Sequence, residues 1–426
     1  MSQMNRIVRG LSRRDFMKTS AAVGAAAMIS PGVFAAAPEK LRIGLIGCGG
    51  RGNGALNDCI EAGKIVGIPT EVVATADWFK HKAVGTGRGK GVPEERCFGG
   101  ADCYKKLLAT DVDVVLIATS PNFRPLHLEA AIKAGKHVFM EKPVAVDPPG
   151  GRQVIAAGEL AKSAGLAIVA GTQRRHEASY QKMAHRIGEG AIGTILGGAI
   201  YWCGGALWYQ RKNQNESDAD YMVRNWVSFT EMSGDHIVEQ HVHNIDVAMW
   251  YLGRPPVAAL GFGGRARRKT GNQFDFHSID FDWGEGCHIH SMCRQINSTD
   301  GRVSEYFTGT NGTTWGNGGL NMFNKKEITV PDFEERNPYV QEHVALMRSI
   351  IADKPLNEAK NVAEATLVAI MGRIATYTGK LVRYKDVVEN ANTPWYNLKC
   401  SPSAEDFEKG AVKAPADDVA AIPGTD

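Results

Sequence analysis

A short apolar strand that runs straight into a glycine-rich turn constrains this chain more than any other feature. Arg42-Ile43-Gly44-Leu45-Ile46 leads into Gly47-Cys48-Gly49-Gly50-Arg51-Gly52, a Gly-x-Gly-x-x-Gly spacing where a strand gives way to a helix. Gly47 permits the tight turn, Gly49 lets backbone approach a pyrophosphate, and Gly52 lets the helix close on the strand. The free N–H groups of the first helical turn, at Gly50, Arg51 and Gly52, then face the phosphates. A second strand, Glu71-Val72-Val73-Ala74-Thr75-Ala76-Asp77, ends on an acid where an adenosine ribose would need an acceptor. A carboxylate at Asp77 repels a 2′-phosphate, so the expected cofactor is NAD, with NADP less favoured.

The pattern repeats. Apolar runs at 42–46, 72–76, 112–118, 137–140 and 166–170 alternate with helical segments such as 127–134 and 151–163. That alternation predicts an α/β fold with a doubly wound parallel sheet. After Gln173 the texture changes to longer strands, including 280–282 and 287–294, and to an aromatic, charged and aperiodic stretch from Trp208 to Ser233. The second half reads as an α+β domain with a large, mostly antiparallel open sheet and helices on one face. A late helix is expected to start at an Asn361 N-cap, with Glu364 three residues on, and to stop at Gly379. The tail from Ser401, rich in Ala, Pro and acids, is expected to wrap a neighbour or to remain unfolded.

The N-terminus carries Ser12-Arg13-Arg14-Asp15-Phe16-Met17-Lys18, an apolar run from Ala21 to Ile29, and small residues at Ala35-Ala36-Ala37. This reads as a twin-arginine export signal cleaved after Ala37, its apolar run too short for a membrane span. The domain plan is therefore 1–37 signal peptide, 38–172 dinucleotide-binding domain and 173–426 substrate-binding and oligomerisation domain. A periplasmic or exported location follows, with no membrane insertion after cleavage. Free dinucleotide is scarce there, which favours a cofactor that is tightly held or recycled in each turnover. The net charge of +3 is nearly balanced and gives no nucleic-acid surface. The eight cysteines show neither Cys-x-x-Cys pairs nor a dense disulfide framework. Cys97 and Cys103 are close enough in sequence to pair or to remain thiols.

Phe139-Met140-Glu141-Lys142-Pro143, preceded by Ser120-Pro121-Asn122 and His127-x-x-x-Ala131-x-x-Ala134-Gly135-Lys136, makes a resemblance specific. The mature chain resembles the glucose–fructose oxidoreductase, inositol dehydrogenase and rhizopine-catabolism family (Gfo/Idh/MocA). The resemblance implies that Ser120, Asn122 and Glu141 line the cofactor and that Lys142 sits beside both nicotinamide and substrate hydroxyls. An ammonium there stabilises a developing alkoxide. It also implies that Arg174, Arg175, His176 and Tyr180, after the first domain, approach the cofactor or substrate, and that the second-domain sheet pairs copies into a homo-oligomer, a dimer or tetramer.

The second cluster is Gly234-Asp235-His236-Ile237-Val238-Glu239-Gln240-His241-Val242-His243-Asn244-Ile245-Asp246. On one helix Glu239, His243 and Asp246 stand at i, i+4 and i+7, along a shared face with His236 at its edge. By resemblance His243 is the general base, with Glu239 or Asp246 orienting it. The family has aspartate where this chain has Glu239. His236, His241 and His243, with Glu239 or His277, also invite a metal reading, but His241 lies on the other helical face and no metal centre is expected. His288, His290, Met292 and Arg294 share one strand face and read as sheet packing or a pocket wall. Trp202, Trp208, Tyr209, Arg224, Asn225 and Trp226 suit either a carbohydrate lid or an oligomer contact.

Three functions stay open at this stage. The leading one is an NAD-dependent oxidoreductase acting on a secondary hydroxyl of a sugar, glycoside or polyol. The second is a glycosidase or lyase that oxidises a ring hydroxyl, eliminates, hydrates and re-reduces, as in the α-N-acetylgalactosaminidase branch of the family. The third is a sugar or nucleotide binder without catalysis, which the joint presence of Lys142 and His243 disfavours.

Overall fold

Residues 39–423 are described by the structure, a computed structural model. The signal peptide and its cleavage point after Ala37 lie outside them. Six short strands, β1 (Leu41–Ile46), β2 (Thr70–Asp77), β3 (Cys97–Gly99), β4 (Val114–Ile117), β5 (His137–Met140) and β6 (Ile168–Ala170), form one parallel sheet in the order β3-β2-β1-β4-β5-β6. The order reverses between β1 and β4. In an open parallel sheet that reversal leaves a crevice at the carboxyl ends of the strands, where ligands bind. The apolar runs β4 and β5 are buried on both faces, as covered parallel strands must be.

A second sheet has eight strands: β7 (Ile195–Gly204), β8 (Ala258–Gly264), β9 (Phe276–Asp282), β10 (His288–Gln295), β11 (Arg302–Gly309), β12 (Gly312–Trp315), β13 (Gly319–Met322) and β14 (Val382–Arg383). Their order is β13-β12-β11-β7-β10-β9-β8-β14, and only β7 with β10 runs parallel. One face is covered by helices. On β10, Ile289, Ser291, Cys293 and Gln295 are buried against them, while His288, His290 and Met292 point to the open face.

The helix Ala359–Thr378 belongs to both cores. Ala359, Val362 and Ala363 pack with Val154 and Ile168 beneath the parallel sheet, and Val368, Met371 and Ala375 pack with Ile279 and Phe281 on the second. It begins two residues before the expected Asn361. Glu358 occupies the N-cap position and gives no side-chain cap bond, while Gly379 ends the helix in a left-handed conformation as expected. The helix Pro338–Ile351 returns to the first sheet, where Val340, Val344 and Met347 join Leu41 and Leu56.

The C-terminal tail corrects its sequence reading. It forms a helix, Ala404–Lys409, with a Ser403/Asp406 capping box, and buries Phe407 against Trp78 and Phe123 of its own chain. Burying one aromatic ring is sufficient to dock so short a helix. All eight cysteines are free thiols, Cys97 and Cys103 included.

Candidate active site

The glycine turn is built as its sequence requires. Gly47 has φ +100°, and a Cβ there would lie 2.5 Å from the Ala118 carbonyl carbon. A Cβ on Gly52 would lie 1.8 Å from the Gly47 oxygen, so the helix Gly50–Val66 can approach β1 only because that side chain is missing. Around Gly49 nothing stands within 4 Å of a built Cβ, which leaves the backbone open at the helix N-terminus. Arg51 is held over this end by Glu141 (Nε to Oε1, 2.8 Å) and Asp58 (2.9 Å).

Asp77, at the end of β2, is 8% exposed. One carboxylate oxygen accepts from Cys48 N at 2.7 Å and the other from Phe79 N at 2.9 Å. Burial nevertheless pushes its pKa above the usual carboxylate value, against those two bonds. Gly47, Gly49, Asp77 and Ser120 line one groove, together with Trp78 and Trp226. An open backbone at a helix N-terminus, a missing-Cβ cradle and an acid at the β2 terminus together fit a dinucleotide.

Two expectations shift here. Trp226, a candidate for a carbohydrate lid or an oligomer contact, lines this groove with Asp77. It does so because Trp78 Nε1 donates to Asp220 at 2.6 Å and ties the 218–228 segment to the end of β2. Asn122 does not line the groove. Its amide oxygen accepts from Ser120 Oγ at 2.9 Å, and the side chain borders a separate cavity beside Asp147.

Lys142 stands two residues beyond β5, after Glu141. Its ammonium donates to the Glu239 backbone oxygen at 2.5 Å and to the Glu239 carboxylate at 3.2 Å. His243 is 8% exposed, with its ring stacked on Trp202 (centroids 5.6 Å, interplanar 23°). Burial, with the charges of Lys142 and Arg174, holds its pKa well below the ordinary histidine range. The imidazole is therefore neutral at neutral pH, the form that can accept a proton.

The single helical face expected for Glu239, His243 and Asp246 does not form. The segment is two helices, His236–Glu239 and Val242–Leu252, separated at Gln240 (φ −110°, ψ −52°). The carboxylates go to cations rather than to His243. Glu239 pairs with Lys142, and Asp246 makes a two-pronged pair with Arg175 at 2.8 Å on each arm. His236 turns inward to Asp235, and His241 bonds Ser291 at 2.7 Å. The remaining substrate candidates are also spoken for. Tyr180 is buried with its hydroxyl on Glu305 (3.2 Å), beneath Arg174, which pairs with the same Glu305. Arg224 is tied to Glu216 within its own loop. Trp208 is half-exposed, edge-on to Trp226. Sequence reasoning missed Trp78 in the groove, placed Arg174 only generally toward cofactor or substrate, and grouped Trp202 with the lid. Trp78 was discoverable as the residue directly after Asp77; Arg174 and Trp202 meet His243 only through the fold.

Residues 41–172 match the oxidoreductase family with an NAD-binding Rossmann fold, and residues 10–30 match a twin-arginine translocation signal. This segment belongs to the Gfo/Idh/MocA oxidoreductase family. The chain is 30% identical over 208 residues to 2,7-anhydro-N-acetylneuraminate hydratase of Escherichia coli, covering 45% of this chain and 51% of that one. It is 31% identical over 225 residues to inositol 2-dehydrogenase of Ralstonia nicotianae, covering 51% and 56%. The chain thus aligns with about half the length of these curated relatives. Among solved structures it is similar to the WlbA dehydrogenase of Bordetella pertussis in complex with NADH and UDP-GlcNAcA. That match has TM-score 0.63 and 19% identity, with 81% of this chain and 98% of that one covered, a likeness of fold. The Gfo/Idh/MocA assignment fixes the dinucleotide as a nicotinamide cofactor, and the twin-arginine signal directs export. No helix among the described residues is long and apolar enough to cross a membrane.

Proposed function

We propose that this chain is an NAD-dependent oxidoreductase acting on a secondary hydroxyl of a sugar, glycoside or polyol in the periplasm. The observation that carries this reading is the buried His243, stacked on Trp202 and kept neutral by burial and the charges of Lys142 and Arg174, in a chain whose glycine turn and Asp77 line a groove that fits a dinucleotide. The bound nicotinamide supplies the hydride acceptor or donor. His243 takes the hydroxyl proton during oxidation and returns it during reduction. Lys142, steadied by Glu239, donates to the substrate oxygen and holds charge that builds there. Trp202 fixes the imidazole plane by stacking, and Arg175 is held by Asp246. Asp77 selects NAD over NADP by charge.

Replacing His243 by Ala, with cofactor bound, is expected to lower turnover by about 10²–10⁴-fold. Lys142→Ala is expected to lower it as well. Wild-type rates in either variant would overturn the assignment.

The similarity to a hydratase favours a second reading, in which oxidation is transient and a leaving group is lost or water added with no net redox change. Product formation with no net change in reduced-nicotinamide absorbance would select it. A homo-oligomer is also proposed. Leu260, Phe262 and Trp315 stand 48%, 68% and 54% exposed on the open face of the second sheet, an apolar surface suited to a second copy. A single-chain mass in light scattering would contradict it.

A further inference from the structure

Resting on the oxidoreductase reading above, we infer that the substrate is an acidic sugar and that a second cavity, in the second domain, is the subsite for its oxyanion. Trp208, Arg267, Arg268, Lys269, Gln295 and Asn297 stand in its wall, and no Asp or Glu does. Among the described residues none of the three consecutive cations is in an ion pair. Arg267 donates to the Asn297 carbonyl at 3.2 Å, and Arg268 donates to the side-chain oxygens of Gln273 (3.3 Å) and Gln295. The charges of Asp235 and Asp275 reach Arg268, but both carboxylates are bonded elsewhere. Asp275 takes the backbone N–H groups of Ala266, Arg267 and Arg268 at 2.7–2.8 Å, and Asp235 takes His236 N, Phe274 N and Tyr377 OH.

The wall is held in shape by the C-terminal tail, which clasps the loops that supply it. Asp417 accepts from Tyr209 OH and Tyr221 OH at 2.9 Å and from Gly271 N at 2.7 Å, and Asp418 pairs with Arg265 at 3.0 Å. The amides are ordered too. A guanidinium can only donate, so Gln295 turns its oxygen to Arg268, and its Nε2 donates to Gln240 Oε1 at 2.9 Å. Gln240 directly follows Glu239, whose carbonyl and carboxylate hold the Lys142 ammonium. Trp208 meets Trp226 edge-on (centroids 5.9 Å), and Trp226 lines the dinucleotide groove. The cavity is thus linked both to that groove and to the turn that seats Lys142.

A guanidinium fork matches the paired oxygens of a carboxylate or a phosphate ester, and Arg268 has N–H donors beyond those given to the two amides. Arg267 and Lys269, both exposed, add charge at the mouth. The half-exposed Trp208 offers an apolar ring face to the C–H side of a sugar. A neutral sugar leaves the three cations unmatched, whereas an acidic one pairs them.

Calorimetry on the NAD-loaded protein tests the subsite without relying on turnover. Glucuronate, galacturonate and glucose 6-phosphate are titrated beside neutral glucose and galactose, into wild type and Arg268→Gln. At least one acidic sugar is expected to bind wild type about 10–100-fold more tightly than its neutral counterpart and to lose that advantage in Arg268→Gln. The uronate and phosphate arms tell which oxyanion the fork takes. No preference for any acidic sugar, or a preference that survives in folded Arg268→Gln, overturns the subsite. If Arg268→Gln misfolds, the double variant Arg267→Gln, Lys269→Gln replaces it, with an expected loss of about two- to fivefold, and unchanged affinity there overturns the subsite. Reduced-nicotinamide absorbance in the same samples separates the two readings. Acidic sugars that bind through Arg268 without reducing NAD sustain the subsite and contradict net oxidation. Neutral sugars that alone reduce NAD, equally in wild type and Arg268→Gln, sustain the oxidoreductase and overturn the subsite.

Discussion

At the scale of single residues, chemistry here depends on which charges surround His243. Lys142 and Arg174 lie near a buried ring, and both disfavour its protonation. The sign of the pH effect follows. In the free enzyme His243 remains an acceptor as pH falls through the ordinary histidine range near 6.5, and the acid limb of log(kcat/KM) assigned to it lies below that range. A His243-dependent limb at or above 6.5 would contradict the environment seen around it. Several of these residues were legible in the chain. Gly47 and Gly52 are set by backbone geometry, and Lys142 by a five-residue motif. The partners of Glu239 and Asp246 were not. Helical spacing names which side chains share a face, but the cations that claim them, Lys142 and Arg175, arrive from other elements.

At the scale of elements, two segments without clear periodicity pack against the groove residues Trp78 and Phe123 or line the groove themselves. Residues 218–228 bring Trp226, and the Ala404–Lys409 helix brings Phe407 onto Trp78 and Phe123, which also line the groove. Phe407→Ala is expected to destabilise the fold by about 3–5 kcal/mol and to weaken NAD binding measurably by calorimetry. Unchanged affinity would separate the tail from the groove. The alternating strands and helices of the first sheet were readable because buried parallel strands are uniform apolar runs. The tail was not readable, because one aromatic docking onto a distant surface leaves no periodic trace in a segment of Ala, Pro and acids. The split at Gln240 was hidden for a related reason, since tertiary pairing of each side chain outweighs the preference for a continuous helix.

At the scale of the whole molecule, neutral histidines are built into the core. Burial holds His127, His241 and His343 down to about 3 and His137 to about 4. The unfolded chain takes up protons at these positions as pH falls below about 6.5, and the folded chain does not. Each therefore removes up to about 1.4 kcal/mol of stability per pH unit in that window. Glu342, whose burial raises its pKa well above the usual value, acts in the opposite direction as a single group. The melting temperature is expected to rise from pH 5 to pH 7, and a flat or falling curve by calorimetry would contradict the buried neutral set. The larger architecture, a dinucleotide sheet followed by an open second sheet, was legible in the alternation and its loss after Gln173. The joining of both cores by Ala359–Thr378 was not, because a helix buried on all sides shows no amphipathic stripe. The most direct measurement is the absorbance spectrum of the purified exported protein loaded with NAD, before and after addition of a panel of sugars, glycosides and polyols. A reduced-nicotinamide band that rises with one of them in wild type but not in His243→Ala is the predicted result. Failure of the folded protein to bind NAD, or a band equally strong without His243, would contradict it.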